Sequence, residues 1–186
     1  MNAYETGEAI VGDVMQYDAA PLFPDPDGRP GDPGKAFARL TRWTFDLSAN
    51  TNSFERQQID DLVGEFPRFD ERRAGLDYRY GYFAARIDRQ PGGGFDTLAH
   101  IDLTTNARTD YRLPEGDAVS EPVFVPRSAG AAEGDGYLMA TIFRAAENRS
   151  DLALFDAAAL DQGPIALAEL SHRVPYGFHG NWRPQA

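Results

Sequence analysis

The sequence predicts an all-β fold that forms part of a β-propeller, from recurring strand patterns, almost no helical periodicity and a repeat of about fifty residues. Alternating or continuous apolar runs recur along the 186 residues, whereas apolar positions at helical spacing are nearly absent. Clusters of glycine and proline separate these runs and predict turns and surface loops. They lie at residues 24–28, 30–34, 91–94 and 130–136.

Three segments carry the clearest strand patterns. Trp43–Leu47 (WTFDL) alternates apolar and polar residues, and Ile165–Leu170 (IALAEL) does so more weakly. Such alternation is typical of a strand with one buried face. Tyr137–Phe143 (YLMATIF) is almost continuously apolar. This run predicts a central strand that is buried on both faces.

An aspartate recurs where strands end, in the segments FDLS, IDLT and FDAA. These residues are Asp46, Asp102 and Asp156, which lie 56 and then 54 residues apart. An aspartate side chain can accept hydrogen bonds from turn amides, which suits a strand exit. A repeat of this length made of strands predicts four-stranded propeller blades. The chain holds little more than three such repeats, and because closed propellers have about four to eight blades, we expect part of the ring to be missing.

Composition excludes several classes of function. A formal net charge of −11 argues against binding nucleic acid or an anionic membrane, because both require clustered Lys and Arg. The chain has no cysteine, so disulfides, thiolate metal sites and a cysteine nucleophile are excluded. No segment has the length and apolarity of a membrane span, and the first residues lack the features of a signal peptide, so we expect a cytoplasmic protein. Walker, Rossmann and serine-hydrolase motifs are absent from the sequence.

Three short regions combine residue types that could carry chemistry. The first is Val63–Asp70 (VGEFPRFD), with Tyr78–Tyr82 soon after, and the second is Ser120–Arg127 (SEPVFVPR). The third is Arg173–Trp182 (RVPYGFHGNW), in which His179 lies between Gly177 and Gly180. We expect these small neighbours to let the backbone approach other atoms closely and to turn the imidazole into a cavity.

In order and spacing these regions resemble the C-terminal portion of the carotenoid cleavage oxygenases, and the opening Asn2–Glu5 (NAYE) also fits that family. The resemblance implies a non-heme Fe²⁺ enzyme in which four histidines hold the metal within a seven-bladed propeller. Residues 1–186 would then be the C-terminal portion of a single propeller domain, about three to four blades, with the N-terminal blades and three ligand histidines absent. The implied reaction is oxidative cleavage by O₂ of a conjugated C=C bond in a carotenoid, an apocarotenoid or a stilbene.

The resemblance also implies roles for individual residues. His179 matches the last iron ligand, and Glu65 and Glu121 match carboxylates that accept a hydrogen bond from the ligand histidines. Such a bond fixes the tautomer and the orientation of an imidazole that binds metal. Which histidine each glutamate orients stays open. The apolar tunnel for the substrate would draw on aromatic residues: Phe66, Phe69, Tyr78, Phe124, Tyr176 and Phe178.

The two other histidines have simpler interpretations. His172 has polar neighbours and is interpreted as a solvated strand end. His100 lies on an alternating strand and is expected at the surface.

We expect the isolated chain to bind iron weakly or not at all and to show no turnover, because a non-heme iron site usually needs at least three protein ligands. The expected partners of the parent enzyme are O₂ and an apolar polyene or stilbene-like molecule. Nucleic acid is not expected, and membrane contact is expected only through segments outside this chain. One alternative is a non-catalytic β-repeat module or decayed fragment that binds a partner through its loops. Another is a propeller hydrolase with a calcium centre.

Overall fold

The structure, a computed structural model, describes residues 1–19, 23–24, 26–32, 36–87 and 94–183. These residues form twelve strands and two single-turn 3₁₀ helices, Glu71–Arg73 and Leu160–Gln162, so the prediction of an all-β fold is confirmed. In the described ranges, no helix has the length and apolarity needed to cross a membrane. Parts of the loops predicted at 24–34 and 91–94 lie outside the described residues.

The first seven strands form one antiparallel sheet in which each strand pairs with the next along the chain. They are β1 (Ala3–Thr6), β2 (Ala9–Tyr17), β3 (Ala38–Asp46), β4 (Glu55–Phe69), β5 (Tyr80–Arg86), β6 (Thr97–Asp102) and β7 (Ala107–Arg112). The remaining strands form a second antiparallel sheet around β10. They are β8 (Ala118–Val119), β9 (Val123–Pro126), β10 (Gly136–Arg144), β11 (Arg149–Asp156) and β12 (Pro164–Glu169).

The predicted repeat is present as three units, although the first two share a strand. The 15-residue strand β4 pairs with β3 mainly through its first half and with β5 through its second half. Its length therefore joins two four-stranded units into one sheet, while β8–β12 form the third unit. Each repeated aspartate is the last residue of the first strand in the final hairpin of its unit. Its carboxylate accepts a hydrogen bond from the amide two residues later: Asp46 from Ser48, Asp102 from Thr104 and Asp156 from Ala158.

The second unit is packed between the other two. Strand β5 is buried on both faces, with Tyr82 and Ala84 in one apolar cluster and Phe83 and Ala85 in the other. The first cluster joins β5 and β6 to β10 and β11 of the third unit, and the second joins them to β2 and β3 of the first unit. Face-to-face stacking of strand units in sequence order is the packing of neighbouring propeller blades.

A buried charge joins the first unit to the loop before β5. Asp13 is fully buried, and Arg42 donates to its two carboxylate oxygens at 2.8 Å each. The Tyr78 hydroxyl also donates to Asp13 at 2.8 Å, and burial raises the pKa of that hydroxyl. A charge removed from water requires such partners. The interaction fixes Tyr78 in the second apolar cluster, where its ring packs against Phe69.

The strands predicted at 43–47, 137–143 and 165–170 are confirmed as β3, β10 and β12, although β3 and β12 each end one residue before the predicted range. The prediction that 137–143 is buried on both faces is wrong. Leu138, Ala140 and Ile142 are buried, whereas the alternate residues Met139 and Thr141 are only partly buried and line a cavity. An apolar run cannot distinguish a second packed layer from a cavity wall, because both are lined by apolar side chains.

The prediction that His100 lies at the surface is also wrong. Its ring stacks on that of Tyr82, its cross-strand neighbour, with centroids 5.1 Å apart. Its Nε2 atom is buried and has no hydrogen-bond partner among the described residues. Burial lowers the pKa of His100, because the charged imidazolium would lose its hydration; Asp102 opposes this effect.

We predict that His100 makes stability depend on pH near neutrality. The folded chain resists protonation of this ring, so the unfolded chain binds more protons below the ordinary histidine pKa of about 6.5. The free energy of unfolding should therefore decrease as the pH falls from about 7 to about 5.5, by at most about 1.4 kcal/mol per pH unit. Urea denaturation at several pH values measures this slope.

His100→Phe keeps an aromatic ring against Tyr82 and removes the titrating group, so it should flatten the slope. His172→Gln, at an exposed position, is the control and should keep it. An unchanged slope in His100→Phe would contradict the interpretation.

Candidate metal centre

The segment after β12 runs back across the third unit without regular secondary structure. The buried residue Ser150 holds its beginning, because its amide donates to the His172 carbonyl and its hydroxyl accepts from the Val174 amide. The guanidinium of Arg173 lies 4.6 Å from the centre of the Phe143 ring on β10. These contacts hold the start of the segment against β10 and β11.

Glu121 fixes the position of His179. It lies between β8 and β9 and is only 6% exposed. Its Oε1 lies 3.1 Å from Nδ1 of His179, and its Oε2 accepts a 2.8 Å hydrogen bond from the Gly180 amide. Nη1 of Arg68 lies 3.2 Å from the same Oε1. One buried carboxylate therefore holds both the imidazole and the backbone that carries it.

This contact determines which ring nitrogen is available. A carboxylate can only accept, so Nδ1 of His179 carries the proton in the bond to Glu121. In the neutral ring, Nε2 then has the free lone pair, which is the form that binds a metal. The side chain is 74% exposed, so the described residues leave much of the ring open.

Phe66 packs against the same imidazole. The two rings meet edge to face, with centroids 5.7 Å apart. Phe66 has a φ of 55°, in the left-handed region, at a β-bulge where the β4–β5 register shifts between Glu65 and Arg68. Such a conformation costs about 1–3 kcal/mol and is typical of functional sites, where bulges redirect side chains.

Glu65 does not contact His179 among the described residues. Its carboxylate accepts a short hydrogen bond from the Tyr17 hydroxyl. Burial and this neighbouring carboxylate raise the pKa of Tyr17. Of the two glutamates that the sequence indicated, Glu121 therefore contacts His179, whereas Glu65 contacts Tyr17 at the end of β2.

An apolar cavity of about 600 Å³ lies beside His179, with Glu121 on its wall. Of the aromatic residues expected around a tunnel, three line this cavity: Phe66, Tyr176 and Phe178. Phe124 lies instead in the first apolar cluster, where it is 7% exposed and stacks on Tyr82. Phe69 and Tyr78 belong to the second cluster.

The expectation that the glycines around His179 make room for close backbone approach is wrong, although the ring does lie on the wall of the cavity. A Cβ atom placed on Gly177 or Gly180 would meet no described atom within 4 Å. Glu121 and Phe66 contact the ring, and Glu121 also binds the Gly180 amide, but none of these contacts requires the absence of a Cβ atom at residue 177 or 180. Sequence reasoning also missed Arg68, which contacts Glu121. The only sequence signal is its position three residues after Glu65, in a segment already singled out.

The described residues do not complete a metal site. They contain no group of three or more His, Asp or Glu side chains that could hold a metal ion. His179 offers one imidazole nitrogen, which matches the donor type that iron accepts. Among the residues of this site, His179 therefore fits a single iron ligand.

Comparison with known proteins decides the family. The sequence pattern of the retinal pigment epithelial membrane protein family matches residues 1–184. The chain belongs to this family. The resemblance to carotenoid cleavage oxygenases is confirmed, since proteins of that name from Mycobacterium tuberculosis are 34% identical over 99% of the chain.

The relatives share the fold and are much longer. Lignostilbene-α,β-dioxygenase isozyme III of Sphingomonas paucimobilis is 39% identical over 98% of this chain, and isoeugenol monooxygenase of Pseudomonas putida is 37% identical over 98%. The crystal structure of Pseudomonas brassicacearum lignostilbene dioxygenase superposes on 99% of the chain with a TM-score of 0.90 and 33% identity. The chain spans about 40% of the length of each of these relatives.

We predict that Glu121 protects the Gly180 amide from hydrogen exchange, whereas Glu65 does not. Glu121→Ala removes the acceptor of that amide, so its exchange rate should rise about tenfold, as expected for loss of a hydrogen bond to a charged group. Exchange followed by NMR at individual amides measures this. Glu65→Ala is the matched control and should leave Gly180 protected. Equal protection in the wild type and in Glu121→Ala would contradict the assignment.

Proposed function

We propose that the chain is the C-terminal part of a propeller oxygenase and supplies one histidine ligand to an Fe(II) centre. The whole enzyme would use O₂ to cleave a C=C bond that is conjugated to an aromatic ring or a polyene. The observation that carries the proposal is the Glu121–His179 pair. It leaves Nε2 of the imidazole available beside an apolar cavity.

The residues of this chain would have three tasks. Glu121 keeps the proton on Nδ1 of His179 and holds the ring in one orientation. The cavity wall, with Phe66 and the aromatic residues of the C-terminal segment, takes an apolar substrate and excludes water from it. Iron, when bound, would supply the activation of O₂.

Two observations support a site that is completed from outside this chain. The described residues provide no cluster of three ligands. The chain also spans about 40% of the length of its relatives. We therefore propose that the other ligands belong to blades that would precede this portion in the whole enzyme.

The relatives point to the class of substrate. They are named for isoeugenol, lignostilbene and an apocarotenoid. A C=C bond in conjugation with an aromatic ring or a polyene is common to these compounds. A mostly apolar cavity suits such molecules, because burial of apolar surface would provide most of the binding energy.

We predict that the chain alone binds Fe(II) weakly and cleaves nothing, whereas a completed ring binds Fe(II) stoichiometrically and cleaves substrate. The chain is loaded with Fe(II) under anaerobic conditions, and bound iron is measured by metal analysis. It is then fused to the N-terminal portion of the Sphingomonas lignostilbene dioxygenase, and cleavage of a hydroxystilbene, isoeugenol and an apocarotenal is followed by product chromatography. One iron per fused chain and turnover of at least one of these compounds are expected.

His179→Ala in the fused protein should remove bound iron and turnover, and His172→Ala is the matched control that should keep both. Tight stoichiometric iron with turnover in the chain alone would contradict the incomplete site. Undiminished iron in His179→Ala would contradict the ligand assignment. A well-folded fusion without iron would favour a binding module without catalytic activity.

A further inference from the structure

We infer that Arg68 is a positioning residue for His179: it clamps the backbone after the histidine against Glu121 and thereby holds the imidazole in place. This inference rests on the proposed function only in taking His179 as the metal ligand. Arg68 lies at the end of the bulge in β4, and its side chain is 13% exposed. It comes from the second unit, whereas Glu121 and His179 belong to the third unit and the segment after it.

The contacts of Arg68 converge on one short stretch. Nη1 donates to the Gly180 carbonyl at 3.0 Å and lies 3.2 Å from Glu121 Oε1. Nη2 donates to the Asn181 side chain at 3.0 Å. A planar guanidinium can make these bonds together because its donors point in fixed directions.

The residue directly after the histidine is therefore held from two sides. Glu121 accepts from the Gly180 amide, and Arg68 donates to the Gly180 carbonyl. The arginine and the glutamate also contact each other, which closes a ring of interactions around this residue. With both backbone groups fixed, the Cα of His179 has little freedom to move away from Glu121.

The part of the segment around His179 needs such a clamp, because the bonds of Ser150 hold only the beginning of the segment. Residues 171–183 form no strand or helix, and the side chains of Tyr176, Phe178 and His179 are each about three-quarters exposed. Exposed segments without regular structure open easily when few contacts hold them. Glu121 binds the ring and the Gly180 amide, and Arg68 adds bonds to the Gly180 carbonyl and the Asn181 side chain.

Glu71 binds both Arg68 and Asn181 and so helps to hold them together. Its carboxylate accepts from Nη2 of Arg68 and from the amide group of Asn181. The Glu71 side chain is 52% exposed, so its replacement should not disturb the core. It therefore offers a milder way to loosen Arg68 than removal of the arginine.

The inference is tested by NMR on the metal-free chain. The chain has three histidines, so their ring nitrogens can be assigned in a sample labelled with ¹⁵N-histidine. The ¹⁵N shifts at about pH 8, where histidines are mostly neutral, report the ratio of Nδ1–H to Nε2–H tautomers. Nuclear Overhauser contacts report whether the His179 ring still lies against Phe66. A side chain that merely stabilised the fold would not change either signal selectively.

In the wild type, His179 should be mainly in the Nδ1–H form and in contact with Phe66. Arg68→Gln should lower the tautomer ratio about tenfold and abolish the Phe66 contacts, because the ring then exchanges with solvent, where imidazole prefers Nε2–H. Arg68→Lys should restore part of the ratio, since lysine keeps the positive charge but lacks the planar set of donors of the guanidinium. Glu71→Gln should give a smaller decrease and decides the question if Arg68→Gln does not fold.

Arg127→Gln is the matched control, because it removes an arginine that is paired with Asp135 and Asp156, away from His179. Unchanged tautomer ratio and Phe66 contacts in both Arg68→Gln and Glu71→Gln would overturn the inference, as would equal changes in Arg127→Gln. Because these signals need no metal, absence of iron from the fused protein would count against the proposed function alone.

Discussion

The rest of the site depends on the interactions of the Glu121 carboxylate. It is almost fully buried, and a buried charge must be compensated by nearby donors. Its partners are the imidazole of His179, the amide of Gly180 and the guanidinium of Arg68. The requirement to satisfy this one charge brings together a strand of the second unit, a loop of the third and the C-terminal segment.

That convergence requires the units to stack. Strand β5 is apolar on both faces, so the second unit packs against the first and the third at once. Stacking places the bulge in β4 beside the loop between β8 and β9, and the bulge turns Phe66 and Arg68 toward the C-terminal segment. The fold thus prepares one imidazole beside an apolar cavity and leaves the ring open on its other side.

Much of this could be predicted from local sequence. The repeated aspartates identified the unit length because each makes the same turn contact. The sharing of β4 could not be predicted, since strand pairing across two units leaves no local pattern. The burial of His100 depends on stacking against Tyr82 of the neighbouring strand, and Phe124 lies in the core because of that same ring. The contact of Arg68 with Glu121 could not be predicted, because a bulge changes which side chains meet and the position of a bulge depends on strand pairing in three dimensions.

The central claim is that His179, held through Nδ1 by Glu121, gives its Nε2 to iron in a ring completed by other blades. Anomalous X-ray diffraction at the iron edge, on crystals of this chain fused to the N-terminal portion of a relative, tests it most directly. The account predicts an iron peak at Nε2 of His179, with Nδ1 still against Glu121. Iron bound elsewhere, or a His179 ring turned away from Glu121 in the iron-loaded protein, would contradict it.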